Sequence, residues 1–251
     1  MPALIAEYFA PWSEKARWAL DHHRIAYEYR EHVPLVGELA LRARTRRFRG
    51  RVSTPALLLD DGAVLYDSFD IARHAEAHGR GAPLFPPEHA AAIAEWNARS
   101  EAALAAGRAL YLERLASDPR AQVDMQPREL PEWLRRASAP MTGLVVAFIR
   151  SKYGIDAAAS RAAEATLVRE LDALRGALSG RPHLLGDTLS YADVTMAVTL
   201  QFVAPVDTRW VPLGPDAFVA WTHPELAKRY TDLVAWRDGL YAQWRPVARV
   251  G

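Results

Sequence analysis

Apolar and polar positions change period along this chain. Up to about residue 79, short apolar runs alternate with amphipathic stretches; past residue 88 the helical period takes over. Leu4–Tyr8 reads as a short strand, and Ser13–His23 as a helix packing through Ala16, Trp18 and Leu20, with Ser13 as N-cap and Glu14 in its first turn. Ala26–His32 follows as a second strand, and Val36–Phe48 as an arginine-rich helix. Two further strands, Ala56–Leu59 and Ala63–Tyr66, meet at the turn signal Asp60-Asp61-Gly62. A helical pattern then opens at Asp67-Ser68 and continues through Ile71, Ala72 and Ala75. The pattern predicts an α/β domain of order βαβ–ββα with a mixed four-stranded sheet over residues 1–79, and a Gly- and Pro-dense linker over 80–87. Residues 88–251 are expected to be all-helical, with helices at His89–Leu115, Trp133–Tyr153, Asp156–Leu178, Ser190–Val203 and Pro224–Trp244. Ser190-Tyr-Ala-Asp193 matches a capping box, in which the Ser hydroxyl reaches the third amide and the carboxylate reaches back.

Composition narrows the function. Half of the 251 residues are apolar, and 31 basic against 30 acidic side chains leave a net charge of +1, which argues against a general nucleic-acid binder. The basic run Arg42–Arg51 is not expected to bind nucleic acid, and most of its arginines are read as solvated charge. No apolar run approaches the roughly 20 residues that span a bilayer, and no leader pattern opens the chain, so a cytoplasmic protein without membrane association is expected. The chain has no cysteine, which removes disulfides, thiolate metal sites and every mechanism needing a protein thiol. His74 and His78 stand at ligand spacing on one helix, but no third ligand accompanies them and no metal site is expected. A Gly-x-Ser-x-Gly elbow is also absent.

Candidate chemistry concentrates between Ser53 and Ile71. A cis Thr54–Pro55 bond would turn the Thr54 N–H and C=O outward, free to pair with an extended ligand. The open amides at the start of the next helix, with the Ser68 hydroxyl, suit a carboxylate, and Asp67 beside them suits an ammonium group. A ligand with a peptide middle and an amino-acid end fits those groups, and glutathione is such a molecule.

Three segments carry a family resemblance: Glu7 to Leu20 (Glu-Tyr-Phe-Ala-Pro-Trp-Ser-Glu-Lys-Ala-Arg-Trp-Ala-Leu), Ser53 to Ile71, and Leu184 to Ala197. Together they resemble the cytosolic glutathione transferases over nearly the whole chain. The resemblance implies a thioredoxin-like N-terminal domain that binds glutathione and an all-helical domain that forms the electrophile pocket. It implies glutathione as co-substrate, conjugated as its thiolate to a small hydrophobic electrophile, and a homodimer with a role in detoxification. Binding would fall to Thr54, Pro55, Asp67, Ser68 and Arg51, with Trp12 and Ala10 lining the substrate pocket. Stabilising the thiolate needs a hydroxyl donor near the sulfur. Ala10 stands where the family carries a catalytic Ser or Cys, which leaves Ser13 and Tyr8 as alternatives. The enzyme reading is therefore a non-cysteine transferase, and Ala10 keeps open a non-catalytic glutathione- or ligand-binding protein on the same scaffold.

Overall fold

A computed structural model describes residues 1–125, 131–138 and 140–246. In chain order the elements are β1 (Ala3–Ala6), α1 (Pro11–His22), β2 (Glu28–Glu31), α2 (Glu38–Thr45), β3 (Ala56–Leu58), β4 (Val64–Leu65) and α3 (Ser68–His78). Then come α4 (Ala90–Ser117), α5 (Pro119–Asp124), α6 (Glu132–Ser138), α7 (Pro140–Tyr153), α8 (Ala157–Leu178), α9 (Tyr191–Thr199), α10 (Pro215–Trp221), α11 (Pro224–Arg229) and α12 (Thr231–Trp244). None of the described helices is long and apolar enough to cross a membrane. The chain forms two compact units: Met1–Ala98 with Gly180–Val198 and Trp236–Gly251, and Arg99–Ser179 with Thr199–Ala235.

The first unit is built on a four-stranded sheet of order β2-β1-β3-β4, with β1 and β2 parallel and the other pairs antiparallel. Strand β1 reads Ala-Leu-Ile-Ala and is buried throughout, as an interior strand covered on both faces must be. Strand β2 reads Glu-Tyr-Arg-Glu, and its charged residues suit an edge open to water. The hairpin turn forms as its sequence requires, with Gly62 at φ 86° and the Leu59 N–H donating to the Ala63 carbonyl at 2.8 Å. Helix α2 is shorter than the arginine-rich pattern suggests. Arg46 turns left-handed at φ 54°, and the Tyr66 hydroxyl caps the Thr45 carbonyl at 2.9 Å, which together end the helix.

Helix α1 corrects a sequence expectation. It starts at Pro11, so Ala10 is the N-cap, makes no side-chain cap bond, and leaves Ser13 inside the first turn. Proline at the first helical position needs no N–H and already has helical φ, which sets the start two residues early. The Gly- and Pro-rich segment after α3 is also strapped down. Arg80 N–H donates to the His23 carbonyl at 2.9 Å, and Leu84 N–H to the Glu76 carboxylate at 2.9 Å. The Leu84 carbonyl in turn accepts from Tyr191 N–H at 2.8 Å.

The capping box at α9 forms with altered roles. Asp193 accepts from the amides of Ser190 at 2.8 Å and Leu184 at 2.7 Å, while the Ser190 hydroxyl donates to the same carboxylate at 2.8 Å instead of accepting from an amide. Asp193→Ala strands two buried amides and a hydroxyl, so a loss of about 2–4 kcal/mol is expected by urea unfolding. A loss below about 0.5 kcal/mol would show that this carboxylate does not anchor the turn.

The second unit is helical among its described residues. Its centre stacks Tyr111 on Trp221 and Trp221 on Phe202, at centroid distances of 4.2 and 4.7 Å. Two charged residues satisfy the ends of α10: Asp124 accepts from the Asp216 amide at 2.8 Å, and Arg114 Nε donates to the Ala220 carbonyl at 2.8 Å. Neither α5 nor α10, six and seven residues long, was marked by periodicity in the sequence. The single helix expected over Trp133–Tyr153 is instead α6 and α7, with residue 139 outside the described residues.

Candidate functional site at one edge of the sheet

Strand register brings the candidate residues to one edge. Ile5 lies opposite Ala56, and Leu57 opposite Leu65. Extending both registers past the strand ends sets Glu7 opposite Thr54 and Pro55 opposite Asp67, the extended residue that leads into Ser68 and α3. The end of β1, the approach to β3 and the start of α3 therefore share one edge, the end of the sheet at which the interior strands β1 and β3 meet the loops. A side-chain contact joins the first two: the Thr54 hydroxyl donates to Glu7 Oε1 at 3.0 Å.

At the approach to β3, the Thr54–Pro55 peptide is cis. Among the described residues no backbone hydrogen bond engages the Thr54 N–H or C=O. Pro55 is buried and Thr54 half-buried, while Arg51 is exposed in the loop ahead of them.

At the start of α3, Asp67 is the N-cap and accepts from Phe69 N–H at 2.7 Å through one carboxylate oxygen. The Ser68 hydroxyl is buried and has no hydrogen-bond partner among the described residues. Its amide, at the first helical position, has no partner within the helix. A buried hydroxyl left unpaired is costly, and a carboxylate at the positive end of a helix is the partner that its surroundings favour.

The two thiolate-stabilising candidates differ in setting. Ser13 is fully buried, and its hydroxyl oxygen accepts the Glu7 N–H at 3.2 Å across the turn. Tyr8 is half-buried, and among the described residues no hydrogen bond engages its hydroxyl. Its ring packs edge-on against Tyr29, with centroids 5.6 Å apart, and lies under the Arg17 guanidinium at 4.1 Å. Ala10 and Trp12 are half-buried at the same turn.

Two residues of this edge, Glu7 and Arg17, escaped the sequence reading. Glu7 bridges Thr54 and Ser13, the first through its carboxylate and the second through its amide. Arg17 donates to the Tyr8 carbonyl at 2.8 Å and to Glu14, which is itself only 2 % exposed. Burial pushes the Glu14 carboxyl up, but Arg245 and Arg17 outweigh it and hold the pKa below its ordinary value. The spacing of Glu14 and Arg17, three apart on α1, was a visible signal of an ion pair; that the pair is buried was not. No group of three or more His, Asp or Glu side chains among the described residues is placed to hold a metal ion.

A glutathione S-transferase N-terminal domain model matches residues 9–78, and a glutathione S-transferase C-terminal domain model matches 156–239. A glutathione S-transferase from Methylobacterium radiotolerans, solved in complex with glutathione sulfonate, superposes with a TM-score of 0.63 at 18% identity, covering 100% of this chain and 97% of its own. One from Methylobacillus flagellatus, solved with glutathione bound, gives 0.60 at 16%, covering 97% and 95%. A glutathione transferase family member from Pseudomonas fluorescens, also with bound glutathione, gives 0.59 at 17%, covering 99% and 100%. At these identities the shared property is the fold, a thioredoxin-like sheet domain followed by helices. No curated protein matches the chain. Two domain models of one family, met in order along the chain and together spanning more than half of it, place this protein in the glutathione S-transferase-like family.

Proposed function

We propose that this protein binds glutathione at the sheet edge formed by Thr54, Pro55, Asp67 and Ser68, and conjugates its thiolate to a small hydrophobic electrophile. The observation that carries the reading is the Ser68 hydroxyl: buried, unpartnered among the described residues, and at the N-terminus of α3. The γ-glutamyl carboxylate goes to Ser68 and the α3 amides, and its ammonium to the Asp67 oxygen not used in capping. The peptide middle pairs with the backbone of Thr54, and Arg51 meets the second carboxylate. The bound glutathione of the Methylobacillus and Pseudomonas neighbours supports this ligand.

Of the two hydroxyl candidates, Tyr8 is the better donor to the thiolate, because the Ser13 side chain is fully buried whereas Tyr8 is half-buried at the turn. Residues 1–79 are the glutathione-binding domain, 80–87 the linker, and the helical residues 88–251 hold the electrophile, with Trp12 and Ala10 at the pocket. The reading extends to a homodimer acting in the cytoplasm in detoxification.

Ala10 supports a second reading, a glutathione- or ligand-binding protein without turnover. Calorimetry with glutathione beside conjugation assays over several electrophiles separates the two. Binding with turnover supports the transferase, binding alone supports the second reading, and no binding at millimolar glutathione sinks the transferase. Ser68→Ala is expected to weaken glutathione binding by about 1–3 kcal/mol. Because its hydroxyl is unpaired without ligand, the same change should leave folding stability unharmed. Unchanged affinity would remove Ser68 from the site.

A further inference from the structure

A chain of buried charges runs beneath the turn that carries Tyr8, and none of its members takes part in the proposed chemistry. Arg245, which follows α12, donates from Nε to Glu14 Oε1 at 2.7 Å and from Nη2 to Glu14 Oε2 at 3.4 Å. Its Nη1 donates to Asp21 Oδ2 at 2.7 Å. Glu14 Oε2 also accepts from Arg17 Nη2, and that same nitrogen donates to the Tyr8 carbonyl at 2.8 Å. The Arg17 Nε and Nη1 are buried with no hydrogen-bond partner among the described residues.

A guanidinium offers five N–H donors and pairs best with a carboxylate through two parallel bonds. Left alone with Glu14, Arg17 would take both of its oxygens. Arg245 already occupies Oε1, so Arg17 holds only Oε2 and directs its remaining capacity at Tyr8, to the carbonyl through Nη2 and to the ring through its face. Arg245 thus decides how Glu14 is shared, and the sharing decides where Arg17 sits.

We propose that Arg245 is a positioning residue for the Tyr8 turn, acting through Glu14 and Arg17, and that it thereby sets the acidity of the glutathione thiol. The second half rests on the glutathione reading above; the first does not. The other titratable groups at this cluster are Asp21, Tyr27, Tyr29, Tyr241 and Arg237. Asp21 supplies the control: it meets only Nη1 of Arg245, while Nε and Nη2 face Glu14, and its other bond goes to the Tyr27 hydroxyl, off the route to Tyr8.

The test compares the wild type, Arg245→Gln, Arg245→Lys and Asp21→Asn by two readouts. One is the ¹⁹F resonance of Tyr8 in protein carrying fluorotyrosine, assigned with Tyr8→Phe and read without ligand. The other is the pKa of bound glutathione, from thiolate absorbance against pH. Arg245→Gln should move the Tyr8 resonance and lower the thiolate fraction at neutral pH roughly 3–10-fold. Arg245→Lys should recover part of both, and Asp21→Asn should leave both in place. If Arg245→Gln does not fold, Arg245→Lys, which keeps the charge but not the double reach, carries the test with a smaller shift of the same sign. An unmoved Tyr8 resonance, or the same movement in Asp21→Asn, overturns the positioning role. A wild type that fails to bind glutathione sinks the functional reading, while the ligand-free resonance still decides the role of Arg245.

Discussion

Replacing Glu14 by glutamine is expected to cost about 3–5 kcal/mol of stability at neutral pH, the range for removing one partner of a buried ion pair. The carboxylate stands between two guanidiniums in an interior where Glu14 is 2 % and Arg245 4 % exposed. The amide keeps the shape and one acceptor but leaves two buried cations facing each other with a single negative neighbour, Asp21. The cost should depend on pH in a definite direction. Arg245 and Arg17 hold the Glu14 pKa below its ordinary 4.5 against the upward push of burial. The carboxylate's contribution is therefore complete above about 4.5 and fades as pH falls through the lower folded value. Urea unfolding of wild type and variant at pH 7 and then below pH 4 checks both statements: the gap should be wide at the first and narrow at the second. A gap below about 1 kcal/mol at pH 7 would mean that the interior tolerates the two guanidiniums without the carboxylate.

That cluster marks where sequence reading runs out. Glu14 is legible as a favourable first-turn acid of α1, because that role depends on residues beside it. Its main partner is 231 positions away, and no local pattern announces a pairing at that separation. The hairpin at Asp60-Asp61-Gly62 and the α9 capping box were readable for the opposite reason: each is closed by bonds spanning a few residues. Ser13 shows a local rule failing. Serine favours caps, but Pro11 fixes the helix start and puts the Ser13 hydroxyl within reach of Glu7 N–H, an acceptor role set by tertiary geometry. In the candidate site, the residue types at Thr54, Asp67 and Ser68 could be named from composition and spacing. Their meeting at one edge needed the strand register, and Glu7 and Arg17 became visible only through contacts made across the turn.

Gly79→Ala is expected to destabilise by about 3 kcal/mol, the upper part of the usual overpacking range, and to lower the melting temperature by about 6–12 °C. Its backbone, at φ −98°, is open to any residue, so conformational freedom is not what calls for glycine there. The requirement is space. A Cβ at position 79 would lie 2.4 Å from His23 Cβ, 2.5 Å from the His23 carbonyl oxygen and 2.7 Å from the Ala75 carbonyl oxygen. Two of these are backbone atoms at the ends of α1 and α3, helices that pack on each other, so no rotamer change relieves the contact. The His23 carbonyl also accepts the Arg80 N–H at 2.9 Å, and His23 Nε2 lies 2.9 Å from Glu76 Oε2, the oxygen that accepts the Leu84 N–H. Moving His23 to admit a methyl group therefore loosens the whole strap that follows α3. Calorimetric melting of the variant checks the effect, and an unchanged transition would show that α1 and α3 separate there at little cost.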